Sequence, residues 1–295
     1  MNLMVFDLGG TSVKYATYIN EELKNNGFFK TPDTLEDLIE EMSKVMDTKM
    51  KIEGIAISSP GSVNQKDRII EGISALPYIH FVPIYDLFEE AFNVPVTIEN
   101  DANCAGLCEV EFGAAKEGTN IVSMVLGTGM GGSVFINRQL HTGSHLFGGE
   151  FGMSLNTNDL TASENGTLVA TSRKYLQETG KKVDGIKLLD LYDQGEVEAT
   201  RIVDEMFDYI AETLYNIQVI IDPDTVVLGG GISNREKLPE ELSNRLFKLL
   251  EKIDIQSAAP KIVNAKFKND ANLIGAVINF QKNKKQLEEE KLESK

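Results

Sequence analysis

The sequence is 295 residues long, enough for two domains or one large one, and 42% of its residues are hydrophobic, enough to fill sizeable cores. Its formal charge is -16, from 29 basic against 45 acidic residues, which argues against a nucleic-acid or anionic-membrane partner, since both call for basic surface. No stretch approaches the roughly 18 apolar residues of a membrane helix and no secretory signal opens the chain, so a cytoplasmic protein is expected.

Residues 3–6 are an apolar run that reads as a buried strand. Asp7-Leu8-Gly9-Gly10-Thr11-Ser12-Val13-Lys14 follows. The paired glycines allow a tight turn whose N–H groups approach an anion, Thr11 adds a hydroxyl and Lys14 a cation, and Asp7 is a carboxylate suited to a hydrated magnesium ion. Residues 14–19 read as a second strand, so the element is a strand–turn–strand hairpin and not a P-loop, which would turn into a helix. An ordinary hairpin with a Gly-Gly turn is the alternative. Residues 23–30 supply a third strand. Thr34 then opens a helix as its N-cap, with Leu35, Leu38, Ile39, Met42 and Val45 at helical spacing.

A short apolar strand over 52–57 ends in the break Ser58-Ser59-Pro60-Gly61. A helix over 87–92 and a strand over 94–98 come next, and this alternation predicts an α/β sheet. Glu99-Asn100-Asp101-Ala102-Asn103 lies at that strand's end, where open α/β sheets bind ligands. Asn and Asp there also suit a plain N-cap of the following helix. Cys104 and Cys108, four apart in that helix, read as core thiols and not as a zinc knuckle or redox pair.

The second half begins as the first does. A strand over 121–126, the turn Gly127-Thr128-Gly129-Met130-Gly131-Gly132 and a strand over 133–136 echo the opening hairpin, which predicts a structural duplication. The glycine spacing also fits the dinucleotide fingerprint, but a strand follows where that motif needs a helix. Phe147-Gly148-Gly149-Glu150-Phe151-Gly152 then sets one carboxylate among glycines. Helices are expected over 167–178, 197–220, 238–250 and 271–280, and strands over 224–228 and 262–267. Gly229-Gly230-Gly231 permits close approach of a flat ligand such as adenine, or a tight strand-to-helix turn. Residues 282–295 form a charged tail.

Taken together, these segments resemble the ROK sugar kinases of the actin-like ATPase and hexokinase clan, over almost the whole chain. The first phosphate loop (residues 7–14), Ser59-Pro60-Gly61-Ser62-Val63, Glu99-Asn100-Asp101-Ala102-Asn103, the second phosphate loop (126–132), Gly149-Glu150-Phe151-Gly152 and the adenosine-side loop (228–233) occur in the family's order. The resemblance implies a two-domain actin-like, ribonuclease H-like fold with a cleft between a first domain, residues 1–112 with 271–295, and a second, 113–270. It implies Asp101 as catalytic base, Asn100 and Glu150 on sugar hydroxyls, and Gly61 lining the site. Asp7, Gly9, Gly10, Thr11, Lys14, Thr128 and Gly129 would serve the phosphates of ATP and its Mg2+, and Gly230 the nucleoside end. A homodimer is usual in the family.

Two departures stand out. Met153 occupies the place of the family's histidine, and the segment after it has no cysteine, so no structural zinc is expected. The family's next sugar-contacting carboxylate has no secure match; Asp159 and Glu164 are the candidates. The remaining histidines, His80, His141 and His145, read as surface or hydrogen-bonded groups. The zinc-less Glu-Phe-Gly form resembles bacterial β-glucoside kinases, and loss of the histidine would open space at the sugar's anomeric end. Kinases for N-acetylmannosamine or glucose are the alternatives within the family. A sugar-sensing protein without catalysis is the alternative outside enzymes. The family's repressors carry an extra DNA-binding segment, for which a hairpin starting at residue 3 leaves no room.

Overall fold

The computed structural model describes residues 1–46, 51–268 and 270–293. The chain divides into two compact units, Met1–Cys108 with Asn269–Lys295, and Glu109–Lys268.

In the first unit, β1 (Leu3–Leu8), β2 (Ser12–Ile19) and β3 (Glu22–Lys30) form an antiparallel meander. Then come α1 (Leu35–Val45), β4 (Gly54–Ser59), the small hairpin β5 (Ser62–Asn64) and β6 (Ile69–Glu71), α2 (Ile84–Phe92), β7 (Val96–Asn100) and α3 (Asp101–Glu111), whose residues from Glu109 on are counted with the second unit. The sheet order is β3-β2-β1-β4-β7, with β1, β4 and β7 parallel. Every residue of β1 and β4 is buried, as continuous apolar strands covered on both faces must be. Met4, Phe6 and Leu8 point to one face, against Leu38 and Met42 of α1 and Phe88 of α2, and Leu3 and Val5 point to the other. Burying one such phenylalanine contributes about 2–3 kcal/mol. Thr34 caps α1 as expected, accepting from the Asp37 N–H at 3.1 Å.

The second unit repeats the plan. Its elements are β8 (Ile121–Leu126), β9 (Met130–Ile136), β10 (Gln139–Leu140), α4 (Ala162–Asn165), α5 (Leu168–Thr179), α6 (Gly185–Asp193), α7 (Val197–Ile221), β11 (Thr225–Gly229), α8 (Leu238–Glu251) and β12 (Lys261–Asn264). The order β10-β9-β8-β11-β12 matches the first sheet position for position, so the duplication read from two glycine hairpins is present in the topology. The long amphipathic α7 buries Phe207, Ile210 and Leu214 against Val122, Met124, Val226 and Leu228 of the sheet, with Leu242 and Leu246 of α8. α9 (Ala271–Glu293) belongs to the first unit, where Leu273, Ala276, Val277 and Phe280 cover Leu3 and Val5. Residues 294–295 of the charged tail lie outside the described residues. Among the described residues no helix is long and apolar enough to cross a membrane.

Candidate active site

In the first unit, the segments after β1, β4 and β7 leave the carboxyl ends of adjacent parallel strands, where register pairs Asp7 with Ser58, Ser58 with Glu99 and Ser59 with Asn100. Asp7 is 9% exposed. Its Oδ1 accepts from Ser58 Oγ at 2.8 Å and from Asn272 Nδ2 at 3.0 Å. These neutral donors fix the carboxylate. One carboxylate held in this way suits magnesium, which keeps most of its waters and takes few protein ligands. No group of three or more His, Cys, Asp or Glu that could grip an ion occurs among the described residues.

The turn after β1 is closed by the Gly9 N–H on Ser12 O at 3.2 Å, which leaves Gly10 and Thr11 at its tip. Thr31 braces it: Oγ1 donates to Gly9 O at 2.5 Å and its N–H to Thr11 O at 3.2 Å. Among the described residues, the amides of Gly10 and Thr11 have no protein acceptor, whereas the Gly9 amide is committed to the turn. Lys14, exposed on β2, lies opposite Asp7.

Gly61 follows β4 with a left-handed φ of 97°, and its carbonyl accepts from Asn100 Nδ2 at 3.1 Å. Asn100 ends β7, and its Oδ1 accepts from the Asn103 N–H at 3.1 Å; Asp101 opens α3, with Oδ1 accepting from the Ala102 N–H at 2.8 Å. The capping expected of this segment is therefore present. Asn100 caps the helix, and the cap leaves Asp101 half-buried at its N-terminus, where the helix dipole favours a carboxylate. Cys104 and Cys108 are buried on α3. Burial pushes the Cys104 thiol well up, and the nearby charges of Glu99, Asp7 and Asp101 push it further.

In the second unit, the Gly127 N–H donates to Gly129 O at 2.9 Å, and the amides of Thr128 and Gly129 have no protein acceptor among the described residues. The loop after β11 lies against the end of β8: a Cβ on Gly230, whose φ is 83°, would fall 2.2 Å from Leu126 O. Thr128, Gly129 and Gly230 thus lie at the carboxyl ends of the adjacent parallel strands β8 and β11. Glu150 is exposed and precedes the short turn Phe151–Met153. Partial burial of its carboxyl pushes its pKa up. That turn is seated on β9 at Gly152, where a Cβ would lie 2.0 Å from Met130 O. Met153 is 62% exposed.

The two candidates for the missing carboxylate differ. Glu164 closes a capping box, accepting from the Thr161 N–H at 2.8 Å and Thr161 Oγ1 at 2.7 Å, and these bonds pull its pKa down. Asp159 is exposed in a turn at φ 63°. Ser163, Thr31 and Glu99 brace these segments, and none of them receives a role from the sequence alone. Ser163 accepts from the Met130 N–H at 3.0 Å and so ties α4 to the second glycine turn; the Thr-x-x-Glu box beside it is the signal that could have located this helix. Thr31 is visible only as a polar residue at a strand end. Glu99 is 4% exposed, and its carboxylate accepts from three N–H groups. His80 is buried and 2.7 Å from Ser74 Oγ through Nε2, whereas His141 and His145 are exposed.

The ROK family pattern matches residues 3–283. The chain is 30% identical over 294 residues to a beta-glucoside kinase of Listeria innocua, covering 95% of this chain and 97% of that one. It is 31% identical to a beta-glucoside kinase of Klebsiella pneumoniae, covering 95% and 96%. Among solved structures, a ROK family protein from Streptococcus pneumoniae in complex with sucrose superposes with a TM-score of 0.89 at 33% identity, covering 97% of this chain and 100% of that one. The chain belongs to the ROK family and has the two-domain, actin-like hexokinase fold of its sugar kinases.

Proposed function

We propose that this carbohydrate kinase transfers the γ-phosphoryl group of ATP to O6 of a hexose, the glucosyl unit of a β-glucoside such as cellobiose. The observation that carries the reading is Asp101 at the first position of α3, beside the capping Asn100 and the Gly61 loop, at the same strand ends as the glycine turn of β1. The beta-glucoside kinases of L. innocua and K. pneumoniae support the substrate class. So does the exposed Met153 in place of a histidine.

Phosphoryl transfer asks mainly for alignment and charge neutralisation. Asn100 and Glu150 hold sugar hydroxyls, and Asp101 orients the attacking hydroxyl and accepts its proton late in the step. The amides of Gly10, Thr11, Thr128 and Gly129, with Lys14, offset charge on the phosphates. Gly230 lets the nucleoside end approach the backbone. Asp7 would hold magnesium through water, and the ion would supply charge neutralisation at the phosphates.

ATP consumption with magnesium over cellobiose, gentiobiose, salicin, glucose, N-acetylmannosamine, N-acetylglucosamine and fructose tests the proposal. Turnover strongest with the β-glucosides is expected. Turnover confined to free hexoses or N-acetylhexosamines refutes the β-glucoside assignment, and none with any sugar refutes the kinase reading.

A further inference from the structure

Glu99 is a buried carboxylate held by neutral donors. Its Oε1 accepts from the Asn100 N–H at 2.8 Å and Asn103 Nδ2 at 2.9 Å, and its Oε2 accepts from Gln65 Nε2 at 2.9 Å. Removing a carboxylate from water is costly unless strong hydrogen bonds compensate. A site that needed only packing would place an apolar residue here. Burial pushes the Glu99 pKa up, while its three donors oppose that shift.

The third donor is the informative one. Gln65 is exposed and lies in the turn of the β5–β6 hairpin, remote in sequence from Glu99. That hairpin begins one residue after Gly61, whose carbonyl accepts from Asn100 Nδ2 at 3.1 Å. Two neighbouring side chains of β7, Glu99 and Asn100, therefore hold the two ends of the 61–65 segment. The far side of the hairpin is held separately, by Arg68 donating to Asp86 at 2.8 Å and to Glu89 at 2.5 Å over the Tyr85 ring. Within the hairpin, Asn64 Nδ2 donates to Asp67 of the turn at 2.9 Å and to Glu71 of β6 at 2.7 Å, which ties the turn to both strands.

We propose that Glu99 and Gln65 form a latch that fastens the β5–β6 hairpin to the strand end carrying Asn100 and Asp101, and that this latch sets the affinity for sugar. Glu99 and Gln65 are positioning residues: neither is assigned to the sugar, and both act through Gly61 and Asn100. The latch rests on the kinase reading for its effect on the sugar, and on the geometry alone for its effect on the hairpin.

The charge pattern supplies a test. Gln65→Glu faces one carboxylate with another and opens the latch, at an exposed position that the core does not depend on. Adding Glu99→Gln restores one amide and one carboxylate with the donor direction reversed. The carbonyl oxygen of the introduced amide still serves Asn100 and Asn103. Cellobiose KM should rise about tenfold in Gln65→Glu, as expected for a lost hydrogen bond to a charged group, with the KM for ATP unmoved. The double variant should recover most of that rise. Amide exchange over residues 61–71 should quicken in the single variant and slow again in the double.

An unchanged cellobiose KM with unchanged exchange in Gln65→Glu overturns the latch. Equal rises in both KM values, or no recovery in the double variant, reduce Glu99 to a structural residue and overturn it as well. A wild-type protein inactive on every sugar refutes the kinase reading, and the exchange measurements then decide the latch alone.

Discussion

Gly152→Ala should dislodge Glu150 without touching its carboxylate. The added Cβ would lie 2.0 Å from Met130 O and 2.3 Å from Ser163 Oγ. Carbon and oxygen need about 3 Å, so the Phe151–Met153 turn and β9 must part by about 1 Å. Neither neighbour yields easily. Met130 is paired with Leu126 across the β8–β9 hairpin, and Ser163 is held by the Met130 N–H. Overpacking of this severity costs about 3 kcal/mol. For a unit of the size of Glu109–Lys268 that corresponds to about 9 °C in Tm. Differential scanning calorimetry measures the first quantity, and titration with cellobiose the second, where affinity should fall about tenfold or more. A melting point within about 2 °C of wild type together with unaltered cellobiose binding would refute the idea that Gly152 seats the Glu150 segment on β9.

Gly230→Ala combines a left-handed φ of 83° with a Cβ 2.2 Å from Leu126 O. It should raise the KM for ATP at least about tenfold and leave cellobiose binding within about twofold, read from nucleotide and sugar titrations. The Glu150 carboxyl has its pKa raised by burial. Its ionised form is the hydroxyl acceptor, so sugar affinity should be full at neutral pH and fall on acidification, earlier than for an ordinary glutamate. Glu150→Gln should raise KM and flatten that profile, and a wild-type KM that is level between about pH 7.5 and 5 contradicts the assignment. Phe207→Ala removes a fully buried ring that meets Tyr192 edge-on at 5.8 Å. It should lose about 3–5 kcal/mol in urea unfolding, and a loss below about 1 kcal/mol contradicts the packing of α7 on the second sheet.

The parts of this molecule that could be read from sequence are those with a local physical cause. An apolar run ending in Asp7 and two glycines has few outcomes besides a buried strand and a tight turn. Thr34 announces α1 because its hydroxyl meets a helix amide. The expected strand over 94–98 runs instead from Val96 to Asn100, since Pro95 cannot donate to the ladder and pairing continues to the site residues. The β5–β6 hairpin has strands of three residues each, too short for any alternation to register. α6 opens on Gly185 and is only nine residues long; Leu188, Leu191 and Tyr192 stand at helical spacing and pack on the core, a stripe that the sequence reading passed over. The expected last strand over 262–267 shrinks to Lys261–Asn264. At the site, motif residues lie where strand ends would carry them. Of their supports, Thr31 and Gln65 were not legible, because each acts on a residue far from it in sequence; Glu99 stood in the motif without a role, and the helix of Ser163 was announced only by its Thr-x-x-Glu box.

The most direct measurement is cellobiose-dependent ATP consumption by the wild-type protein and by Asp101→Asn, paired with calorimetric titration of cellobiose into each. If Asp101 is the base of a β-glucoside kinase, the wild type turns over ATP only when sugar is present. The variant then loses at least about a thousandfold in kcat while binding cellobiose within a few fold of wild type. An Asn variant that keeps near-normal kcat, or a wild type that hydrolyses ATP equally with and without sugar, would contradict it.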